Sequence, residues 1–155
     1  DTSEYALAEA MAEIAGLITS GAGLAKFREL IEAQGGDGAV IDRPDILPQA
    51  RIQQDIPAAH SGFLAQMNAL DVAEATLDLG AGRARKTDPV DPAVGVIVHH
   101  KVGDYVSAGE TLFSIHANSE AQLERARERL LSAPVFRERE QQPLPMFYDT
   151  IYGDA

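Results

Sequence analysis

The hydrophobic period of this chain changes partway along, and that change limits the available folds more than any other feature. In the first third, apolar residues recur at helical spacing. Leu7, Met11, Ile14 and Ile18 fall four, three and four apart, which lays one stripe along a helix. Thr2 or Ser3 is placed to cap its start. Ser20-Gly21-Ala22-Gly23 interrupts the pattern, and a second amphipathic stretch sets Leu24, Phe27, Leu30 and Ile31 against Lys26, Arg28, Glu29 and Glu32. Gly35-Gly36 then supplies a left-handed stop. Two antiparallel helices of this size cannot close a core between them, so the hairpin is expected to pack on something else.

Residues 37–50 carry Pro44 and Pro48 with Asp42 and Asp45, a composition that disfavours both helix and strand ladder and reads as a connector. Beyond Arg51 the period shortens to two. Ile52, Gln54 and Ile56 alternate up to Pro57, and after Gly62 the set Phe63, Ala65, Met67 alternates with Leu64, Gln66, Asn68. Asp71 with Glu74 predicts a capping box for a short helix running to Leu79, stopped by Gly80-Ala81-Gly82. A strand is expected at Val94–Val98. Turns at Lys101–Val106 and Ser107–Glu110 feed another from Thr111 to His116. Ser119 and Gln122 are expected to cap a last helix with Leu123, Ala126 and Leu130 on its inner face, closed by Pro134. The aromatic segment Met146 to Tyr152 is expected to be a docked strand.

Composition narrows the function classes. With 155 residues, 45% of them hydrophobic, the chain has enough apolar material for a real core. It has no cysteine, which excludes disulfides, thiolate metal sites and a cysteine nucleophile. The 24 acidic and 13 basic residues give a net charge of −11, which repels nucleic acid and anionic membranes. No apolar run approaches the roughly 20 residues that cross a bilayer, and the first residues lack a signal-peptide layout. A cytoplasmic protein with neither nucleic acid nor membrane as partner is the expectation.

The residues that usually carry chemistry are sparse. His99 and His100 are adjacent on a predicted strand, so their side chains point to opposite faces and cannot share a metal. His60 and His116 stand alone. Asp71, Glu74 and Asp78 share one helical face, a pattern that fits hard-cation ligands and fits a solvated face better. Gly21-Ala22-Gly23 and Gly80-Ala81-Gly82 each lack the third glycine of a dinucleotide fingerprint and the lysine-hydroxyl ending of a P-loop. Arg83, Arg85 and Lys86 form the one dense basic cluster, suited to a phosphate or to acids across a gap, or simply to water. No Gly-x-Ser-x-Gly elbow or glycosidase-type carboxylate pair is present. From the residues alone, no catalytic, cofactor-binding or metal-binding set is expected.

One set of strings runs in order along the chain: Ser20-Gly21-Ala22-Gly23-Leu24-Ala25-Lys26-Phe27, Ala33-Gln34-Gly35-Gly36-Asp37 and Leu47-Pro48-Gln49-Ala50. It continues in Gly62-Phe63, Leu79-Gly80-Ala81-Gly82-Arg83, Ala93-Val94-Gly95, Val102-Gly103-Asp104, Gly109-Glu110 and Tyr148-Asp149. In these strings the chain resembles the pyrimidine-nucleoside phosphorylase and thymidine phosphorylase family, in its carboxyl-terminal portion. The resemblance implies an α+β chain: a helical hairpin from an all-α domain (1–36), a linker (37–54) and a small mixed-sheet α/β-hammerhead, barrel-sandwich-like domain (55–155).

In such an enzyme, phosphate is a co-substrate that cleaves a pyrimidine nucleoside to free base and pentose 1-phosphate, with no redox cofactor. The resemblance implies that the phosphate- and base-holding residues lie upstream and that this chain is inactive alone. It would be a fragment or separately encoded piece whose partner is the remainder of its own, homodimeric enzyme. Gly80, Gly82 and Arg83 would form a loop that closes over the interdomain cleft.

Two other functions compete. Lys101–Val106 with Gly109-Glu110-Thr111-Leu112 also looks like the second half of a biotinyl or lipoyl carrier, and Pro57 to Leu64 like the first, with Lys86 in the interval between them. A carrier needs that lysine on a tight hairpin, whereas a helix and a proline-bearing loop fill the space here. A covalent biotin or lipoyl group on Lys86 would show in the intact mass. The third possibility is a non-catalytic module binding a partner helix through the stripe of the first hairpin.

Overall fold

The computed structural model describes residues 4–83, 85–145, 147–149 and 151. The chain divides into two compact units, Asp1–Leu47 and Pro48–Ala155. In the first, helices α1 (Glu4–Thr19) and α2 (Ala22–Ala33) form where the helical period predicts them. They are not an antiparallel hairpin: the axis bends by 71° at the break, where Gly21 takes a left-handed conformation. Each helix has too few facing residues to bury its stripe against the other. Leu7, Met11, Ile14, Ile18, Leu24 and Phe27 are all more than half exposed. No single helix among the described residues is long and apolar enough to cross a membrane. The connector holds two single-turn 3-10 segments, Gly38–Ile41 and Pro44–Ile46. Arg28 fastens α2 to the first, donating to Gly38 O at 2.7 Å and to both carboxylate oxygens of Asp42 at 2.9 Å. Thr2 and Ser3 lie outside the described residues.

The second unit holds every buried apolar side chain among the described residues, from Ile56 to Ala133. Its strands are β1 (Ile52–Pro57), β2 (Gly62–Met67), β3 (Gly95–Val98), β4 (Tyr105–Val106), β5 (Thr111–Ala117) and β6 (Pro134–Arg137); its helices are α3 (Ala69–Leu79) and α4 (Glu120–Ser132). The strands form two antiparallel three-stranded sheets, ordered β1-β5-β3 and β4-β2-β6, in place of the single mixed sheet expected from the family resemblance. The α+β class holds. Helices α3 and α4 pack on each other, and α4 also lies against β5. Strand β5 turns Phe113, Ile115 and Ala117 inward, where they meet Ala75 and Leu79 of α3 and Leu123, Ala126 and Leu130 of α4 in one cluster. Burying that apolar surface is the main stabilising term.

Local chemistry differs from the sequence reading at four places. Helix α3 starts earlier than Asp71: the Asn68 side chain accepts from Leu70 N at 3.1 Å, so Asn68 is the cap. Ser119 caps α4 by position only, with no side-chain bond. Pro134 closes α4 and also opens β6, an edge strand that tolerates proline because one side needs no donor. The described residues of the tail form no strand: Phe147, Tyr148 and Ile151 are at least 79% exposed, while Met146, Thr150 and Tyr152 lie outside the described residues.

A fifth difference concerns parity along β2. Leu64 is fully buried, yet Met67, on the opposite parity, also packs on the core. The register against β6 shifts between Leu64 and Gln66, a bulge that turns the second half of the strand over.

The packing sets a clear expectation. Phe113→Ala should lower the unfolding free energy in urea by about 3–5 kcal/mol, the range for emptying a large core site. Ile14→Ala, on the exposed stripe of α1, should stay within about 0.5 kcal/mol. A Phe113 effect no larger than that of Ile14 would contradict the assignment of the core.

Candidate functional site

The loop after α3 is the segment that the sequence singled out, and its shape follows from glycine at two positions. Gly80 ends α3 with φ +98°, a left-handed conformation that costs a side-chain-bearing residue free energy. Gly80 N donates to Leu77 O and Ala81 N to Thr76 O, both at 3.0 Å, so the last helical carbonyls are satisfied. Gly82 then crosses close over Leu77: a Cβ there would sit 2.2 Å from Leu77 Cδ2. The chain turns again where Arg85 N donates to Asp88 Oδ2 at 2.7 Å and Asp88 N to Arg85 O at 3.0 Å.

The two ends of the loop are joined at its base, where Asp91 N donates to Gly80 O at 3.0 Å. The Asp91 carboxylate accepts from Ala93 N at 2.9 Å and from Asn118 Nδ2 at 2.7 Å. Asn118 Oδ1 in turn accepts from Arg51 N at 2.9 Å, and the Arg51 guanidinium donates to Asn118 O at 2.8 Å. One carboxylate and one amide thus tie the loop to the start of β1 and the end of β5. The bond from Ala93 N, then that from Asn118, holds the Asp91 carboxyl below its ordinary 3.8. Beside this base lies an open hollow of about 440 Å³ lined by Leu79, Gly80, Pro89, Val90, Asp91, Pro92 and Gln122. Arg83, Arg85 and Lys86 are exposed beyond it.

The other sequence candidates resolve differently. Asp71, Glu74 and Asp78 do share one face of α3, but an arginine from α4 occupies it. Arg129 Nε donates to Asp78 Oδ2 at 3.0 Å, and its Nη1 donates to Glu74. The Asp78 bond, with the charges of Asp78, Glu74 and Asp71, raises the arginine further above its ordinary value. The face is an interhelical clamp. Gly21-Ala22-Gly23 is the bend between α1 and α2, with no strand before it among the described residues. Lys86 lies in the loop between α3 and β3 and not on a hairpin between strands, which is not the seat a carrier lysine needs.

His99 and His100 do point apart. His99 Nε2 lies 2.8 Å from Ser114 Oγ on the outer face of the first sheet, and Ser114 Oγ donates to Asp55 Oδ1 at 2.5 Å. That row contains the residue types of a hydrolytic triad in the wrong order. The single hydroxyl proton goes to Asp55, so His99 must donate to the serine and cannot activate it. No local pattern announces this row, because it exists only once β1 and β5 are paired with Asp55 opposite Ser114. His100 packs inward, with Glu110 at 3.7 Å and Asp104 at 3.9 Å. His60 stacks edge-on against Phe136 at 5.3 Å. Among the described residues no three His, Asp or Glu side chains are grouped to hold a metal.

Residues 63–136, which include the whole glycine loop, match the family model described as the pyrimidine nucleoside phosphorylase C-terminal domain. Curated proteins named pyrimidine-nucleoside phosphorylase from Staphylococcus aureus strains USA300, NCTC 8325 / PS 47 and COL are each 46% identical to the chain over 112 residues. That alignment takes in 72% of this chain and 26% of each relative's length. The chain belongs to the pyrimidine-nucleoside phosphorylase family, in its carboxyl-terminal portion.

Asp91 gives the site a testable pH dependence. A carboxyl group whose value is lowered on folding contributes stability that is present above its unfolded value and lost as pH falls through the folded one. Wild type should therefore exceed Asp91→Asn in melting temperature above about pH 4, and the gap should close under more acidic conditions. A gap that is constant with pH would remove the ionised Asp91 from the anchor.

Proposed function

We propose that this chain is the closing domain of a pyrimidine-nucleoside phosphorylase. In the reaction inferred for the complete enzyme, a phosphate oxygen forms a bond to the anomeric carbon as the bond from that carbon to the pyrimidine nitrogen breaks. The base leaves with the bonding electrons and takes up a proton, and the pentose remains as its 1-phosphate. The residues that hold phosphate and base are assigned to the part of the polypeptide preceding this chain, which is therefore inactive by itself. The complete enzyme is read as a cytoplasmic homodimer of pyrimidine salvage that needs no redox cofactor.

The observation that carries the reading is the family match over residues 63–136, because it includes the loop with the Gly80 hinge and the exposed Arg83. A closing element needs a segment that can change conformation, a fixed root and a group that engages the other side. Gly80 and Gly82 supply the first, the Asp91–Asn118–Arg51 tie the second and Arg83 the third.

The test is phosphorolysis of thymidine and uridine. The chain alone should release no free base, whereas the complete polypeptide should. Arg83→Ala in the complete polypeptide should lower turnover by roughly tenfold or more, the scale of losing one charged contact in a closed site. Turnover unchanged by that substitution would overturn the closing role. Activity of the pure 155-residue chain would overturn the upstream location of the site.

A further inference from the structure

Asn118 follows directly on β5, and its half-buried side chain reaches both the root of the glycine loop and the residue before β1. Its Nδ2 donates to Asp91 Oδ2 at 2.7 Å, and its Oδ1 accepts from Arg51 N at 2.9 Å. Both ends of the amide are committed, so the group cannot turn over without losing both bonds. Asp91 is oriented in the same way, because its other oxygen, Oδ1, accepts from Ala93 N at 2.9 Å.

Neither residue belongs to the apolar cluster that joins α3, α4 and β5. Breaking the bond between them leaves that cluster in place. Asp91 N and Gly80 O would still join the two limbs of the loop to each other, but the joined limbs would lose this side-chain link to the end of β5. We infer that Asn118 is a positioning residue for turnover: acting through Asp91, it sets where the loop that carries Arg83 starts its closure. The inference rests on the closing role proposed above.

The pair can exchange its chemistry without losing a bond. With an amide at position 91 and a carboxylate at 118, the amide oxygen accepts from Ala93 N, its N–H donates to the carboxylate, and the carboxylate accepts from Arg51 N. Either change alone sets like against like, two amide N–H groups or two carboxylates.

The test measures thymidine phosphorolysis by the complete polypeptide. Asn118→Asp and Asp91→Asn should each lower kcat about tenfold, the scale of a misplaced element, with KM little changed because closure follows binding. The double exchange Asp91→Asn, Asn118→Asp, which keeps composition and charge, should restore most of kcat. Added to Arg83→Ala, Asn118→Asp should cause little further loss, since both act through one loop, whereas an unrelated structural lesion would contribute its full factor. A double exchange no more active than either single change, or full additivity with Arg83→Ala, overturns the inference. A loss in Arg83→Ala with none in Asn118→Asp removes this inference and keeps the closing role. Unchanged turnover in Arg83→Ala removes the closing role itself, and this inference with it.

Discussion

Strand β5 is the element from which the rest of the second unit takes its position. It is the central strand of its sheet, paired on both sides by β1 and β3, and its inward residues are the floor on which α3 and α4 rest. Where α3 ends decides where Gly80 begins the loop. Where β5 ends decides where Asn118 meets Asp91. The geometry of the candidate site is therefore inherited from the pairing of one strand and the burial of Phe113, Ile115 and Ala117.

Much of this order was readable because local chemistry and global packing agree. Leu123, Ala126 and Leu130 lie on the inner face of α4 as their spacing requires, and Gly80 stops α3 as a residue without Cβ can. The failures are of two kinds. In the first, a neighbouring residue satisfied the same need better: Asn68 reaches Leu70 N before Asp71 has any cap to make. In the second, the information lies in pairing, which has no local signature. Nothing near β2 announces the bulge between Leu64 and Gln66, since it answers to β6 some seventy positions away. The family resemblance implies a mixed sheet, whereas the strands pair as two antiparallel sheets.

The candidate site shows the same division. Gly80, Gly82 and Arg83 stand out in the sequence because glycine pairs and basic clusters are rare in an acidic chain. Their anchor does not, because Asp91 meets Asn118 from 27 positions away and Asn118 meets Arg51 from 67. The acidic stripe of α3 misleads in the opposite direction. It has the spacing of a cation site, and the cation that arrives is the guanidinium of Arg129, which joins two helices. Arginine in the interhelical clamp is mortar; in the glycine loop it is exposed to solvent.

The tie between Asp91 and Gly80 has a mechanical consequence. A segment whose two ends are joined by one hydrogen bond can depart from its root only as far as the residues between the anchors reach. Pro89 stiffens the returning limb, which leaves most of the torsional freedom in the outgoing one, at Gly80 and Gly82. The root therefore sets where the tip begins, and the two glycines set how far it can bend from there.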